Sequence, residues 1–302
     1  AAAARHFLRG RLESSSSSSS LTAATATRVA SALWASLNGL SNDGAGEALV
    51  AWAARAAARR GLSGPLLERL VSLKRRPRAR FLNLETAVDR RRAMAKLALV
   101  HGVDLERVEA VDGADAGSLE TFAPPDVVAA HWSDAARTLN ATFDHGSRGD
   151  YAARQDAVAL SPSERGCAAS HVRLWRRALD DARPVAVLED DVLLAPDFAR
   201  RLDEALAEAR THDFDLLLLG YWSPKSEFDL ADAPTRLLHH FLCLDYFWGL
   251  HGYVLSQRGA RKLLAHLPVD APADVFVAKL VNDGTLVTLA LKHKLVKQRT
   301  QA

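Results

Sequence analysis

From residue 79 onward the chain alternates short apolar runs with longer amphipathic stretches. Arg80-Phe81-Leu82-Asn83-Leu84 reads as a short strand. Residues 88–101 read as a helix turning Met94, Leu97 and Val100 toward a core. Leu105 to Val111 reads as a second strand, closed by a turn at Asp112-Gly113. That β-α-β order favours a parallel sheet. Residues 114–160 are less regular, with Pro124-Pro125, Gly146 and Gly149, and read as a long, partly helical insertion of the kind that forms lids. A helix follows over 166–181. Pro184 to Leu188 is wholly apolar, the mark of a buried central strand. Pro196 opens a helix to about Arg210. Asp215 to Gly220 and Leu250 to Leu255 read as strands, and Ser256 can cap a helix over 257–266. Residues 273–282 give one more helix and Leu286 to Leu291 a last strand. The pattern is α/β throughout.

The first 70 residues have a different texture. Residues 14–20 are seven consecutive serines, a tract that buries no apolar surface and predicts disorder. Helices are plausible over 21–38 and 46–60. In the second, Leu49, Trp52, Ala53 and Ala56 share a face suited to a neighbouring helix. Residues 1–70 therefore read as a partly disordered N-terminal extension. The chain shows no internal repeat. It starts without Met, so it reads as processed or incomplete.

At 302 residues there is room for one large domain with an appendage. The net charge of +3, from 39 basic and 36 acidic residues, argues weakly for a polyanion partner. The basic run Lys74 to Arg80 and the triplet Arg90-Arg91-Arg92 read either as solvated surface or as attraction for a phosphate-bearing ligand. Without interleaved aromatics, they do not make a nucleic-acid surface. The two cysteines, Cys167 and Cys243, have no metal-ligand spacing and cannot build a disulfide framework. No apolar stretch is long enough for a transmembrane helix. Asn140-Ala141-Thr142 is a glycosylation sequon, relevant only in a secretory lumen.

Candidate chemistry is concentrated in two places. Glu189-Asp190-Asp191 ends the apolar run at 184–188. In an open α/β sheet, ligands bind beyond the carboxyl ends of strands. Adjacent carboxylates repel, and a hard divalent cation with oxygen ligands resolves the conflict. Such a cation could hold a diphosphate and take up its charge as it leaves. The alternative is a solvent-facing loop. The second place is Gly166-Cys167-Ala168-Ala169-Ser170-His171. Gly166 is expected to open a helix whose first turns carry Ser170 and His171 and offer free N–H groups to an anion. Taken singly, His171 and Cys167 fit ordinary structural roles.

Together these residues resemble glycosyltransferase family 25, which includes lipooligosaccharide galactosyltransferases and collagen hydroxylysine galactosyltransferases. The resemblance rests on Gly166-Cys167-x-x-Ser170-His171, an apolar strand, then Leu188-Glu189-Asp190-Asp191. Asn83-Leu84 with Asp89-Arg90-Arg91, Ala110 to Gly113, Leu219-Gly220, Gly252 to Ser256 and Pro272-Ala273-Asp274 follow the family order. Leu295-Val296-x-Gln298 resembles the end of a domain covering 79–298, and the chain stops soon after, where the family domain commonly runs on. Glu85 to Val88 departs from the family's more polar turn.

The resemblance implies a GT-A type, Rossmann-like fold with a UDP-sugar donor, a bound Mn²⁺ (or Mg²⁺), and inverting transfer, most often of galactose from UDP-galactose. The acceptor would be a glycan or glycoprotein. By that analogy Asp191 and Glu189 hold the metal, and Asp190, Asn83, Arg90, Ser170 and His171 face the nucleotide sugar. Asp274 is the expected acceptor-side base, with Asp270 and Asp245 as rivals and a helix N-cap as its plainer role. His293 is either a further ligand or a surface histidine. A silent relative serving as a scaffold is the alternative to an enzyme. A eukaryotic enzyme of this kind would act in the endoplasmic reticulum or Golgi lumen. A bacterial one would be cytoplasmic or peripheral to the membrane.

Overall fold

The computed structural model describes residues 78–143, 158–181, 183–224, 241–242 and 244–299. The serine tract, the helices expected before residue 61, Cys243, and Gly146 and Gly149 of the long insertion lie outside the described residues. So does the basic run before Arg78.

The described chain begins with strand β1 (Arg78–Asn83), helix α1 (Val88–His101) and β2 (Leu105–Glu109). β1 and β2 are parallel, as the β-α-β reading requires. Helices α2 (Ala116–Phe122), α3 (Asp134–Phe143) and α4 (Pro162–Ala178) follow, then β3 (Val185–Glu189), β4 (Val192–Leu194) and α5 (Phe198–Ala209). The chain continues through β5 (Leu216–Trp222), β6 (Phe241–Leu242), β7 (Trp248–Leu255), α6 (Gln257–Ala265), α7 (Ala273–Asn282), β8 (Thr288–Leu291) and β9 (Val296–Gln298).

Seven strands form one sheet in the order β2-β1-β3-β7-β5-β8-β6. Five run one way; β7 and β6 run the other. The antiparallel β7 departs from the parallel sheet expected from the first unit. The side chains of a strand alternate between faces, and the core divides accordingly. Val185, Val187, Leu216, Leu218, Tyr253 and Leu255 join residues of α2, α3, α4, α6 and α7 on one face. Ala186, Leu188, Leu217, Leu219 and Val254 join α1 and α5 on the other. The result is a three-layer α/β/α arrangement in which β7 is the middle strand and β3 lies beside it, paired on both edges.

Local details correct two expectations. Helix α4 starts at Pro162, not Gly166. Its N-cap is Ser161, and Glu164 closes a reciprocal capping box. Gly166 lies one turn in, where a Cβ would meet Val111 O and Gly113 N, each at 2.8 Å. The glycine therefore permits helix-to-turn packing and does not open an anion site. In α1, Met94 and Ala98 are buried while Val100 is 64% exposed. The buried stripe runs i, i+4 from Met94, and Val100 falls outside it.

The sequon also takes on a packing role. Asn140 is 4% exposed, and its Oδ1 accepts hydrogen bonds from Tyr246 Oη and Trp248 Nε1, both at 2.9 Å. A side chain enclosed in this way is closed to glycosylation. Asn140→Ala is expected to destabilise the fold by about 1–3 kcal/mol, because it removes the buried oxygen to which both Tyr246 and Trp248 donate. Urea denaturation would measure it, and an unchanged midpoint would count against this account.

Candidate functional site

The acid turn follows directly on strand β3. Glu189 ends β3 and Asp190 and Asp191 form the turn into β4. The turn separates the three: Glu189 and Asp191 share Gln298, and Asp190 points elsewhere. Asp190 is 8% exposed and turns toward β1. It accepts from Asn83 Nδ2 at 2.6 Å and pairs with Arg90 at 3.0 Å. Arg107 in turn holds Asn83 Oδ1 at 3.1 Å. Asn83, Arg90 and Asp190 are thus brought together as one polar cluster at the end of β1.

Glu189 and Asp191 have a different setting. Gln298 on β9 extends its side-chain amide to both, at 3.4 Å and 3.1 Å. The pairing of β9 with β4 holds Gln298 there, and Arg299 N donates to Asp191 O at 2.7 Å. Asp191 Oδ1 is buried without a hydrogen-bond partner. Asp191 also has no ion pair among the described residues. Burial and the Glu189 charge raise its pKa; the Gln298 bond and Arg90 pull only partly the other way.

A pocket opens beside this pair. It is lined by Glu164, Cys167 and His171 from α4, Glu189, Trp222, Gly249 and His251, then Pro272, Asp274 and Gln298. Its volume of about 200 Å³ is below the roughly 300–1,000 Å³ of sites for drug-sized ligands. Glu164, Cys167 and His171 lie at i, i+3 and i+7 on one face of α4. His171 is fully buried; Tyr253 Oη lies 3.0 Å from its Nδ1 and accepts from Trp175 Nε1 at 3.1 Å. His171 Nε2 has no hydrogen-bond partner and lies 3.7 Å from Glu189 Oε1. Cys167 lines the pocket with part of its surface open to solvent and the rest crowded by protein atoms. Enclosure and the nearby carboxylates, Glu189 first, push its thiol far above the ordinary range.

Asp274 faces the pocket from the first turn of α7. It is not the N-cap; that position is Pro272. Its Oδ2 accepts from Gly249 N at 2.8 Å and its Oδ1 from Val275 N at 2.9 Å. Gly249 has a φ of +80°, and a Cβ there would meet His251 Nδ1 and Trp222 Cδ1, each at 2.9 Å. Only glycine fits, and its amide fixes the carboxylate. Burial raises the Asp274 pKa, Glu189 adds to it, and the two amide bonds offset part of the rise. His251 is 2% exposed, and its pKa is lowered, chiefly by burial.

Other expected residues lie elsewhere. Ser170 is buried, and its hydroxyl donates to Gly166 O at 2.7 Å and accepts from Val111 N at 2.8 Å. Both bonds stay inside the fold. Asp270 is held by Lys279 Nζ at 2.6 Å and 2.5 Å, and Asp245 and His293 are exposed away from the pocket. Arg91 and Arg92 pair with Glu85 and Asp89, and Arg80 is buried against Asp181 and Glu106. Arg80 is thus committed to the fold, while Arg91 and Arg92 make surface pairs with exposed carboxylates.

Trp222, Gly249 and His251 were not expected from the sequence. Trp222 ends an apolar strand and is 49% exposed, an exposure without local sequence signal. Shifts in register between β5 and β7 at Gly220 and Trp222 turn it out at the pocket.

Comparison with known proteins identifies sequences similar to this chain. A family model described as glycosyltransferase family 25 (LPS biosynthesis protein) matches residues 80–277. A glycosyltransferase 25 family member of Drosophila pseudoobscura pseudoobscura is 31% identical over 203 residues, 65% of this chain and 29% of that protein. Procollagen galactosyltransferase 1 of Danio rerio is 30% identical over 128 residues, 41% of this chain and 21% of that protein. A probable inactive glycosyltransferase 25 family member 3 of Bos taurus is 33% identical over 150 residues, 48% of this chain and 24% of that protein. The matched part spans less than a third of each of these relatives.

Proposed function

This chain belongs to glycosyltransferase family 25, and from that premise we propose that it is an inverting hexosyltransferase with a GT-A type site. The donor is a UDP-sugar, UDP-galactose first. The acceptor is a hydroxyl of a saccharide or of hydroxylysine. The observation that carries this reading is the convergence of Glu189 and Asp274 on one pocket, with Asp191 beside Glu189 under the same Gln298 amide.

Asp274 takes the acceptor proton. The acceptor oxygen then attacks the anomeric carbon from the face opposite the diphosphate, and the departing diphosphate leaves with the bonding electron pair. Gly249 N–H keeps the carboxylate aimed at the pocket. Glu189 and Asp191 fit a hard divalent cation, Mn²⁺ or Mg²⁺: both offer oxygen, and the buried Asp191 Oδ1 lacks a partner. When bound, that ion supplies charge neutralisation for the diphosphate. Trp222 gives the sugar ring an apolar wall. Asn83, Arg90 and Asp190 stand on the nucleotide side, and His171 lines the pocket beside Glu189. A procollagen-type acceptor places the reaction in the endoplasmic reticulum or Golgi lumen; a lipopolysaccharide-type acceptor places it at a bacterial membrane. No helix among the described residues is long and apolar enough to cross a membrane.

The test is a transfer and donor-hydrolysis screen over UDP-sugars with and without Mn²⁺. Turnover of one UDP-hexose, dependent on the ion, is the expected result. The relative named as probably inactive motivates a second reading, a binding domain without turnover. UDP binding with no turnover of any donor or acceptor would favour it.

A further inference from the structure

The pocket holds a second set of donors with a different chemical character. Cys167 Sγ, one ring nitrogen of His171 and a Glu189 carboxylate oxygen all lie within 4.8 Å of one another, and His171 Nε2 is 3.7 Å from Glu189 Oε1. Cys167 and His171 are four apart on α4, so one helical turn presents both. Across from them stands the end of β3. We propose that these three residues form a binding site for a borderline-soft divalent cation, Zn²⁺ above all, which shares Glu189 with the Glu189–Asp191 pair suited to Mn²⁺ but does not use Asp191.

Three observations support it. His171 Nε2 is fully buried, lacks a hydrogen-bond partner and is aimed at Glu189. The other ring nitrogen is held by Tyr253 Oη, and Trp175 Nε1 holds that hydroxyl in place. A metal-bound histidine needs this kind of support: an oriented ring with its second nitrogen occupied. Second, tetrahedral Zn²⁺ with bonds of about 2.0–2.3 Å keeps its ligands roughly 3.3–3.8 Å apart. The present spacing closes to that with a shift of about 1 Å, and the open side of the pocket leaves a place for water. Third, the donor set is selective. Thiolate and imidazole favour Zn²⁺, and carboxylates favour Mn²⁺. On binding, the Cys167 thiol loses its proton to solvent and a metal–sulfur bond forms in its place. Because Glu189 is shared, Zn²⁺ would occupy a ligand that the proposed transferase needs. Only this antagonism rests on the proposed function; the site itself does not.

Co²⁺ is the probe, titrated into the full chain under reducing conditions. The expected result is a thiolate-to-Co²⁺ charge-transfer band in the near ultraviolet, removed by adding Zn²⁺. Cys167→Ser should abolish the band and weaken Co²⁺ binding at least tenfold. Cys243→Ser and Asp191→Asn should leave the band in place, and circular dichroism should show each variant folded. The absence of a band in the parent protein, or its survival in Cys167→Ser, would overturn the site. Loss of the band in Asp191→Asn would overturn its independence of Asp191. A site that stands without any transferase activity would leave the present inference intact while the proposed function fails.

Discussion

Asp274→Asn is expected to lower turnover roughly 100- to 10,000-fold, the usual contribution of a positioned general base, while UDP binding stays within a few-fold of the parent. Asparagine has nearly the same shape and keeps an oxygen for Gly249 N–H, but it cannot take a proton. The same residue should set the acid limb of the pH profile. Burial raises the Asp274 pKa and the Glu189 charge raises it further, against the pull of two backbone amides. The base works only when ionised, so activity should fall as pH drops through a value above the ordinary aspartate pKa of about 3.9. The effect on stability has the opposite sense. A carboxyl whose folded pKa is raised contributes stability below its unfolded pKa, and that contribution is lost as pH rises through the folded value. Ionised Asp274 is therefore a burden near neutral pH, and removing its charge should not lower the melting temperature on that account. Asp270→Asn is the contrasting variant. It breaks the ion pair to Lys279, so it should alter stability and spare transfer. If Asp274→Asn turns over normally, the base lies elsewhere. If it loses UDP binding as well, Asp274 belongs to the donor side.

Which parts of this were legible beforehand follows from the range of the interactions involved. Helices α1 and α7 and strand β3 carry their own periodicity and punctuation, and their bounds follow from local sequence. The division of the acid triplet is less local, because Asp190 and Asp191 lie in the turn and their partners Asn83 and Gln298 come from distant strands. The start of α4 is also local: Ser161-Pro162-Ser163-Glu164 carries a cap, an N1 proline and the capping-box acid, a stronger signal than Gly166. Other features have no local signal. The reversed direction of β7 depends on which strands flank it. Gln298 reaches Glu189 across 109 positions of chain, and only the pairing of β9 with β4 brings it there. The Asn140 triplet reads as a sequon and says nothing of Tyr246, 106 positions away, which binds its side chain. Ser170 likewise looked available until its hydroxyl was found between Gly166 and Val111.

Asp191→Asn should abolish Mn²⁺-dependent behaviour and yet make the metal-free protein no less stable, a combination that separates a ligand from a structural acid. Glu189 and Asp191 share one amide donor from Gln298, and one Asp191 oxygen is buried with none. Burial and the neighbouring Glu189 raise the Asp191 pKa, so its ionised form is disfavoured in the fold. By the linkage rule its stabilising contribution is present below about pH 3.9 and lost as pH rises through the raised folded value. At neutral pH the metal-free pair is therefore a cost, and replacing one charge relieves it. A divalent cation relieves it in the parent, and binding to the folded state alone should raise the melting temperature with ion concentration. That rise should be present in the parent and absent in Asp191→Asn. Turnover should fall by at least about 100-fold, since a bound ion of this kind contributes several kcal/mol and each tenfold corresponds to about 1.4 kcal/mol. Asp190→Asn should behave differently. Asp190 is already held by Asn83 and Arg90, so its loss should lower the melting temperature while the response to Mn²⁺ persists. Equal Mn²⁺-induced shifts in the parent and Asp191→Asn would remove Asp191 from the metal site, leaving Glu189 to the Cys167 and His171 set alone.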